Sequence, residues 1–527
     1  MALTQVPNEL LEIGVKAFGT SSFMIGDTTT GTIDAANYNT GVGVDVFESL
    51  STGDRNTAIG FASMDANTTG SDNTAVGNHT LGANTTASCN VALGSSALTA
   101  NTEGGNNVGL GCDALVANTT ASNNTAVGTS ALAANTTGTR NTAVGSRGLI
   151  VVTTGNDNTA VGYNAGQATT TASNCTFIGN SAGNENTTAN DNTAVGYSAL
   201  LLTTTGNENV AVGKASLQDN TTGTSNCAVG TESLEDNTTG VGNTGLGQQA
   251  LRRNTTANAN TAVGLQALEA STTAANNTAV GYQAGNVVST GGSNVIIGRG
   301  AGIACTTADT SVIIGDDAGS SITTAGNNTI IGRSAGDDLT SGGQNVIIGK
   351  LNDAGAGGAV GRIVIGYSVS GTSNQRVTLG YGSNKVEIDL DGSDTSWAAS
   401  SDVRLKENIQ DSSAGLSFIN DLRPVTFDWK KRKDITPELD EYYEEGSEKR
   451  IHGKEGITYH GFIAQEIEEV ISNHSEVMNG LGFLNSRDDG VLTAAPSALV
   501  PILVKSIQEL SAKCDSLQNE INILKGE

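Results

Sequence analysis

The residue types and spacings that could do chemistry gather near the C-terminus of this chain. Ser401 and Lys406 supply a hydroxyl and an amine five positions apart, and His460 adds an imidazole within Tyr459-His460-Gly461-Phe462. A serine becomes nucleophilic when a base takes its proton, and a lysine serves as that base once desolvation lowers its pKa. Five positions do not put two side chains on one helix face. On the residues alone, Ser401 and Asp402 read as a helix N-cap and Lys406 as a solvated cation.

Elsewhere the candidates thin out. Cys89, Cys112, Cys175, Cys227, Cys305 and Cys514 form no CxxC pair and no regular ladder, which predicts free thiols. The many Asn-Thr-Thr sequons read as turn residues, and the scattered Asp and Glu offer no fixed pair for glycoside hydrolysis. Tyr163, Tyr197, Tyr282 and Tyr367 could stack on sugars but read more simply as isolated surface aromatics. No cofactor and no metal is expected.

Composition divides the chain. Residues 401–527 hold 14 Lys+Arg and 23 Asp+Glu, leaving 27 − 14 = 13 basic and 53 − 23 = 30 acidic residues for the first 400. Both parts are acidic, which argues against binding nucleic-acid phosphate or anionic lipid. The start, MALTQVPNELLEIGVKAFG, has no basic segment followed by an apolar one, and no stretch is apolar enough to span a bilayer. With 68 Gly in 527 residues and no three-residue period, collagen is excluded. No proline lies between Pro7 and Pro424, unlike a standard mixed α/β enzyme.

The body is a repeat. Glycines preceded by an aliphatic residue recur every 17 positions from Gly26 to Gly366, 21 in all, within a unit of the form NTAVGxxALxxNTTGxx. Such units describe coils of a parallel β-solenoid, since a helical pair would need about twice that length. Twenty steps at about 4.8 Å make a rod of roughly 100 Å. Asn stands four before the Gly in 17 of the 21 units, so its amides should stack along the axis. The aliphatic residue before the Gly (Ile59, Val76, Leu93, Val127, Ile348) is expected to point inward. Leu98, Leu115 and Leu132, or Gly166, Gly183 and Gly285, four after the corner Gly, are expected to fill or narrow the same interior. The residue two before the Gly should then face out. It is small for most of the chain (Ala58, Ala126) but becomes Ile296, Ile313, Ile330, Ile347 and Val364, a row expected at a subunit interface.

The NTAVGxxA units resemble the repeats of trimeric autotransporter adhesin heads, which implies a β-roll assembled as a trimer. From Ser401 the period stops. SDVRLKENIQ, FINDLRPVTFDWK, YHGFIAQEIEEV and a C-terminal heptad segment together resemble the intramolecular chaperone auto-processing domain of the endosialidase type, which ends many phage tailspikes and tail fibres. The lead-in RVTLGYGSNKVEIDLDGSDTSWAAS is similar to the segment before the cut in that family. The resemblance implies that the domain trimerises the shaft and then cleaves itself off between Ser400 and Ser401. Ser401 would be the nucleophile, Lys406 the general base and His460 an assisting or positioning group. Independently of the resemblance, Val500, Ile507, Cys514 and Ile521 occupy a and Leu503, Leu510, Leu517 and Leu524 occupy d of a short coiled coil.

The expected organisation is an N-terminal attachment segment (1–20), a β-solenoid shaft (21–350), a transition segment (351–400) and an α+β chaperone domain ending in a coiled-coil helix (401–527). The expected function is a homotrimeric phage tail fibre, assembled in the host cytoplasm and carried on the virion. Its N-terminus would join a baseplate or other virion protein, and its shaft would bind a host surface receptor, a polysaccharide among the candidates. It would involve no nucleic acid and no membrane insertion, and its one enzymatic act would be the cut in itself. The alternatives are a non-phage adhesin, an ice-binding solenoid with a flat threonine face, or a capsular polysaccharide depolymerase.

Overall fold

The computed structural model describes residues 15–26, 35–390, 398–399, 407–436, 442–451, 457–474, 477, 484–486 and 492–526. The chain divides into two compact units, Met1–Ser400 and Ser401–Glu527.

In the first unit each 17-residue repeat makes one coil. Asn-Thr-Ala-Val supplies a three-residue strand, and the corner Gly then takes a conformation closed to other residues. At Gly128, φ is +131° and an added β-carbon would lie 2.6 Å from the Gly145 carbonyl carbon of the next coil. The chain turns back through left-handed residues two and four after the Gly, such as Ser130 (φ 55°) and Leu132 (φ 53°). β-Branched side chains avoid that region, which is why from Phe47 to Gly336 the second of these columns holds Leu, Gly, Met or Phe and no Val or Ile.

The strands stack in chain order. β1 (Val15–Phe18) pairs antiparallel with β2 (Ser22–Gly26), which pairs parallel with β3 (Thr40–Gly43). One strand per coil follows in parallel register, from β4 (Thr57–Ile59) to β21 (Val346–Ile348) and β22 (Ile363–Tyr367). β23 (Arg376–Tyr381) still pairs parallel with β22. β24 (Asn384–Asp389) and β25 (Ala398–Ala399) then add antiparallel, so both ends of the 25-stranded sheet finish in antiparallel pairs.

The strand faces are the reverse of the sequence expectation. Ala58, Ala75, Ala126 and Ala194, two before the corner Gly, are fully buried, while Ile59, Leu93, Val144 and Ile178, just before it, are 37–44 % exposed. Alternation along a strand fixes that these neighbours face opposite ways but not which one faces in. Bulk was the wrong guide, because a 17-residue coil is too narrow to hold an aliphatic from the strand opposite a Leu from the turn. The expected outward row is therefore interior: Ile296, Ile313, Ile330, Ile347 and Val364 are completely buried.

The two inward columns compensate each other in size. Where the strand residue grows from Ala to Ile or Phe, the turn residue shrinks from Leu to Gly. A β-carbon at Gly183 would lie 2.3 Å from the Phe177 ring and one at Gly166 2.7 Å from it; at Gly336 it would lie 3.2 Å from Ile330 and from Ile347. The Leu-or-Gly choice thus reports the volume of the facing strand residue.

Two buried asparagine ladders complete the interior. In the first, the Asn141 side chain accepts from the Asn158 backbone N–H (3.0 Å) and its amide donates to Gly155 O (2.8 Å), so one residue ties its coil to the next at two points. In the second, Asn84, Asn101, Asn118 and Asn135 each donate to the Asn one coil earlier at 2.7–3.0 Å. Asn84, Asn118 and Asn135 are the Asn of Asn-Thr-Thr sequons, while Asn101 begins Asn-Thr-Glu, and the amides of all four are buried within the rod.

In the second unit, α1 (Leu416–Asp421), α2 (Ala464–Asn473) and α3 (Val500–Lys525) accompany two small antiparallel pairs, β26 (Val425–Phe427) with β27 (Tyr459–Gly461) and β28 (Leu484–Ser486) with β29 (Leu492–Ala494). Phe418, Leu422, Ile467, Val477, Leu499 and Ile502 form its core. The fold is mainly β: a parallel β-solenoid of about 21 coils followed by a small α+β unit with a terminal helix.

Candidate functional site

Ser400, Ser401 and Lys406 lie outside the described residues, so their mutual geometry is not part of the structure. The chain on each side is described. Upstream, Ala398 and Ala399 pair with Glu387 and Val386 of β24. Downstream, the chain runs from Glu407 into α1. The boundary between the two compact units falls between Ser400 and Ser401. His460 sits on β27 opposite Thr426 of β26, and it is exposed.

β24 rests on a rigid platform. Arg376 of β23 grips Asp389 with two parallel bonds (2.5 and 2.7 Å) and reaches Glu387 at 3.0 Å, while Lys385 donates to Ser370 O at 3.1 Å. Paired bonds from one guanidinium to a carboxylate fix orientation as well as distance. The two acids hold the Arg376 guanidinium firmly protonated, the Asp389 bond being the larger cause.

One titratable group stands out in the last coils. Asp353 occupies the turn position that is Leu, Gly, Met or Phe in the coils from Phe47 to Gly336. Burial, a hydrogen bond with Asp337 and the charge of Asp338 push its carboxyl up to about 7. Asp338 accepts from the Ala354 and Gly355 N–H groups.

The C-terminal unit is held by contacts between residues far apart in sequence. The α1 N-terminus is met by Glu509 of α3, whose carboxylate accepts the Leu416 N–H at 2.8 Å. At the other end of α1, Asp421 bonds His474 Nε2 at 2.8 Å, and that buried imidazole meets the Phe418 ring edge-on. Arg423 pairs with Glu466 of α2. Glu509, Asp421 and His474 carry no local sequence signal, since each partner lies on a different helix or helix end.

α3 uses one face for its own unit and leaves another open. Ile502 and Ser506 are buried, and Glu509 follows on the same face. The heptad residues Val500, Leu503, Ile507, Leu510, Leu517, Ile521 and Leu524 are 41–85 % exposed. In the shaft, the aliphatic column just before each corner Gly forms a second open apolar stripe.

The threonines do not make a double-ranked flat face. In each Asn-Thr-Thr turn the first hydroxyl bonds the next coil, as Thr238 does to Thr255 O at 2.9 Å, and only the second, such as Thr239, is exposed. The six cysteines are free, and burial pushes the Cys175 and Cys305 thiols up to about 11. Among the described residues there is no group of three or more His, Cys, Asp or Glu able to hold a metal ion, and no helix is long and apolar enough to cross a membrane.

No curated protein and no solved structure matches the chain. Residues 401–476 match the family described as chaperone of endosialidase, a match that begins at the first residue of the second compact unit.

Proposed function

We propose that this chain is the subunit of a homotrimeric phage tail fibre, whose C-terminal unit assembles the shaft and then removes itself by a cut between Ser400 and Ser401. The observation that carries the reading is the chaperone-of-endosialidase match, which starts at Ser401, directly after the last strand of a β-solenoid. In the cut, the Ser401 hydroxyl loses its proton to Lys406 and its oxygen adds to the Ser400 carbonyl carbon. The C–N bond to the Ser401 nitrogen breaks as that nitrogen takes up a proton. Water then hydrolyses the ester, leaving a carboxylate on Ser400 and the hydroxyl on Ser401. His460 assists or positions.

Trimer formation would cover two apolar surfaces that are open in the single chain. One is the aliphatic column along the shaft and the other is the heptad seam of α3. β-Branched a positions with Leu at d favour dimers in model peptides; the trimer rests on the two family resemblances. Residues 1–20 would join the virion, and the shaft would contact the host receptor. The single exposed threonine rank disfavours ice binding, and the unbroken 17-residue register leaves no insertion for a depolymerase domain.

A denaturing gel of wild type beside Ser401→Ala and Lys406→Ala tests the reading. Release of residues 401–527 by wild type alone supports it, whereas identical bands in all three refute it.

A further inference from the structure

The chain just upstream of the proposed cut is not free. Ala398 and Ala399 form β25, which adds antiparallel to β24 with Val386 opposite Ala399 and Glu387 opposite Ala398. Ser400 follows at once in sequence. A peptide added as a strand to a sheet edge has its backbone extended and its register fixed by main-chain hydrogen bonds. The receiving strand is itself fixed, because Arg376 binds both Asp389 and Glu387 across the β23–β24 pair.

We propose that β24 holds Ala398–Ala399, just upstream of the proposed cut, extended before that cut and keeps them afterwards as the cap on the last edge of the shaft sheet. Val386 and Glu387 are then positioning residues for the cleavage, with Arg376 fixing the strand that carries them. The proposal rests on the reading of Ser400–Ser401 as the cut. It also gives the segment a use after cleavage, since an unpaired strand edge is a template for unwanted pairing.

The test uses the full-length chain. In the uncleavable Ser401→Ala protein, amide exchange at Ala398–Ala399 is expected to be slowed on the order of 100-fold relative to an unpaired chain; exchange at the unpaired rate overturns the proposal. In the cleavable chain, Glu387→Pro removes a strand N–H and is expected to slow the cut on the order of 100-fold, as a misplaced reacting group does. Ile388→Val, a conservative change on β24 at a residue with no positioning role, should cut at close to the wild-type rate. Slow cutting at unchanged oligomer mass and shaft melting separates positioning from a merely structural role. If Glu387→Pro does not assemble, Arg376→Gln takes its place. Wild-type cutting rates in an assembled variant that has lost Ala398–Ala399 protection overturn the proposal. Failure of wild type to cut at all refutes self-cleavage instead, and the exchange measurement still decides whether β24 holds the segment.

Discussion

Between Gly60 and Gly264 most coils fill their interior with an Ala on the strand and a Leu from the turn, as in the coil of Ala126 and Leu132. From Gly285 to Gly336 the same space is filled by Ile296, Ile313, Ile330 and Ile347 on the strand, with Gly in the turn. Phe177, between Gly166 and Gly183, is a single coil of the second kind set among coils of the first. The second stretch also replaces the second Asn ladder, that of Asn84 to Asn135, by Val288, Cys305, Ile322 and Leu339, all buried. What the shaft keeps constant is the cross-section and the sheet register. The identity of each inward side chain is free so long as its neighbour compensates.

Substitutions can break or restore that compensation. The largest effect is expected at Phe177. Phe177→Ala alone should destabilise the shaft by about 3–5 kcal/mol through the cavity left between two glycines. Adding Gly166→Leu and Gly183→Leu should recover most of the loss, because the triple variant restores the Ala and Leu coil. Either Leu without the Ala should instead cost about 1–3 kcal/mol by overpacking. Chemical denaturation of the four proteins checks this, and additive effects would contradict size compensation.

Next comes the first Asn ladder, that of Asn141 and Asn158, which both stretches share. Asn141→Ala removes the acceptor of the Asn158 N–H and the donor to Gly155 O, with an expected cost of about 2–3 kcal/mol, read from the same unfolding curves. The second ladder offers the opposite test. Its first run ends at Asn135, whose Oδ1 has no partner because the next position is Val152, and the Thr169 hydroxyl beyond it is also unpartnered, before a second run forms at Asn220, Asn237 and Asn254. Val152→Asn should connect Asn135 to Thr169 and stabilise the shaft by about 1 kcal/mol. A loss of stability there would show that the ladder depends on more than matched partners.

The smallest effect concerns Asp353, where a carboxyl stands in a column that most coils give to Leu or Gly. Its folded pKa of about 7 lies above the ordinary carboxylate value of 3.8. The protonated form is therefore favoured by folding, so its stabilisation is fully present below about pH 4 and is lost as pH rises through 7. Asp353→Asn should melt about 1–2 °C above wild type at pH 8, and the gap should close at pH 4.

The period, the corner Gly and the axial Asn contacts were legible in the sequence because a stacked coil meets the same neighbour at each step. The phase of the strand was not, since alternation leaves inside and outside undecided until volumes are weighed. The signal was present: each Gly at 166, 183, 285, 302, 319 and 336 stands beside a coil whose strand residue is large. In the C-terminal unit the heptad seam could be read from spacing alone, but the Asp421–His474 and Glu509–Leu416 contacts join residues 53 and 93 positions apart, which no local pattern encodes. Ser401 and Lys406 were picked out by family motifs rather than by spacing, and they lie outside the described residues.

The central claim is that the unit after Ser400 assembles the shaft and then cuts itself away. The most direct measurement is the intact mass of freshly folded wild type, Ser401→Ala and Lys406→Ala under denaturing conditions, beside their native masses. Wild type is expected to give a shaft ending at Ser400 and a separate 401–527 fragment, with both variants uncut and all three trimeric. A wild-type chain that stays whole while trimeric, or a cut that survives Ser401→Ala, would contradict it.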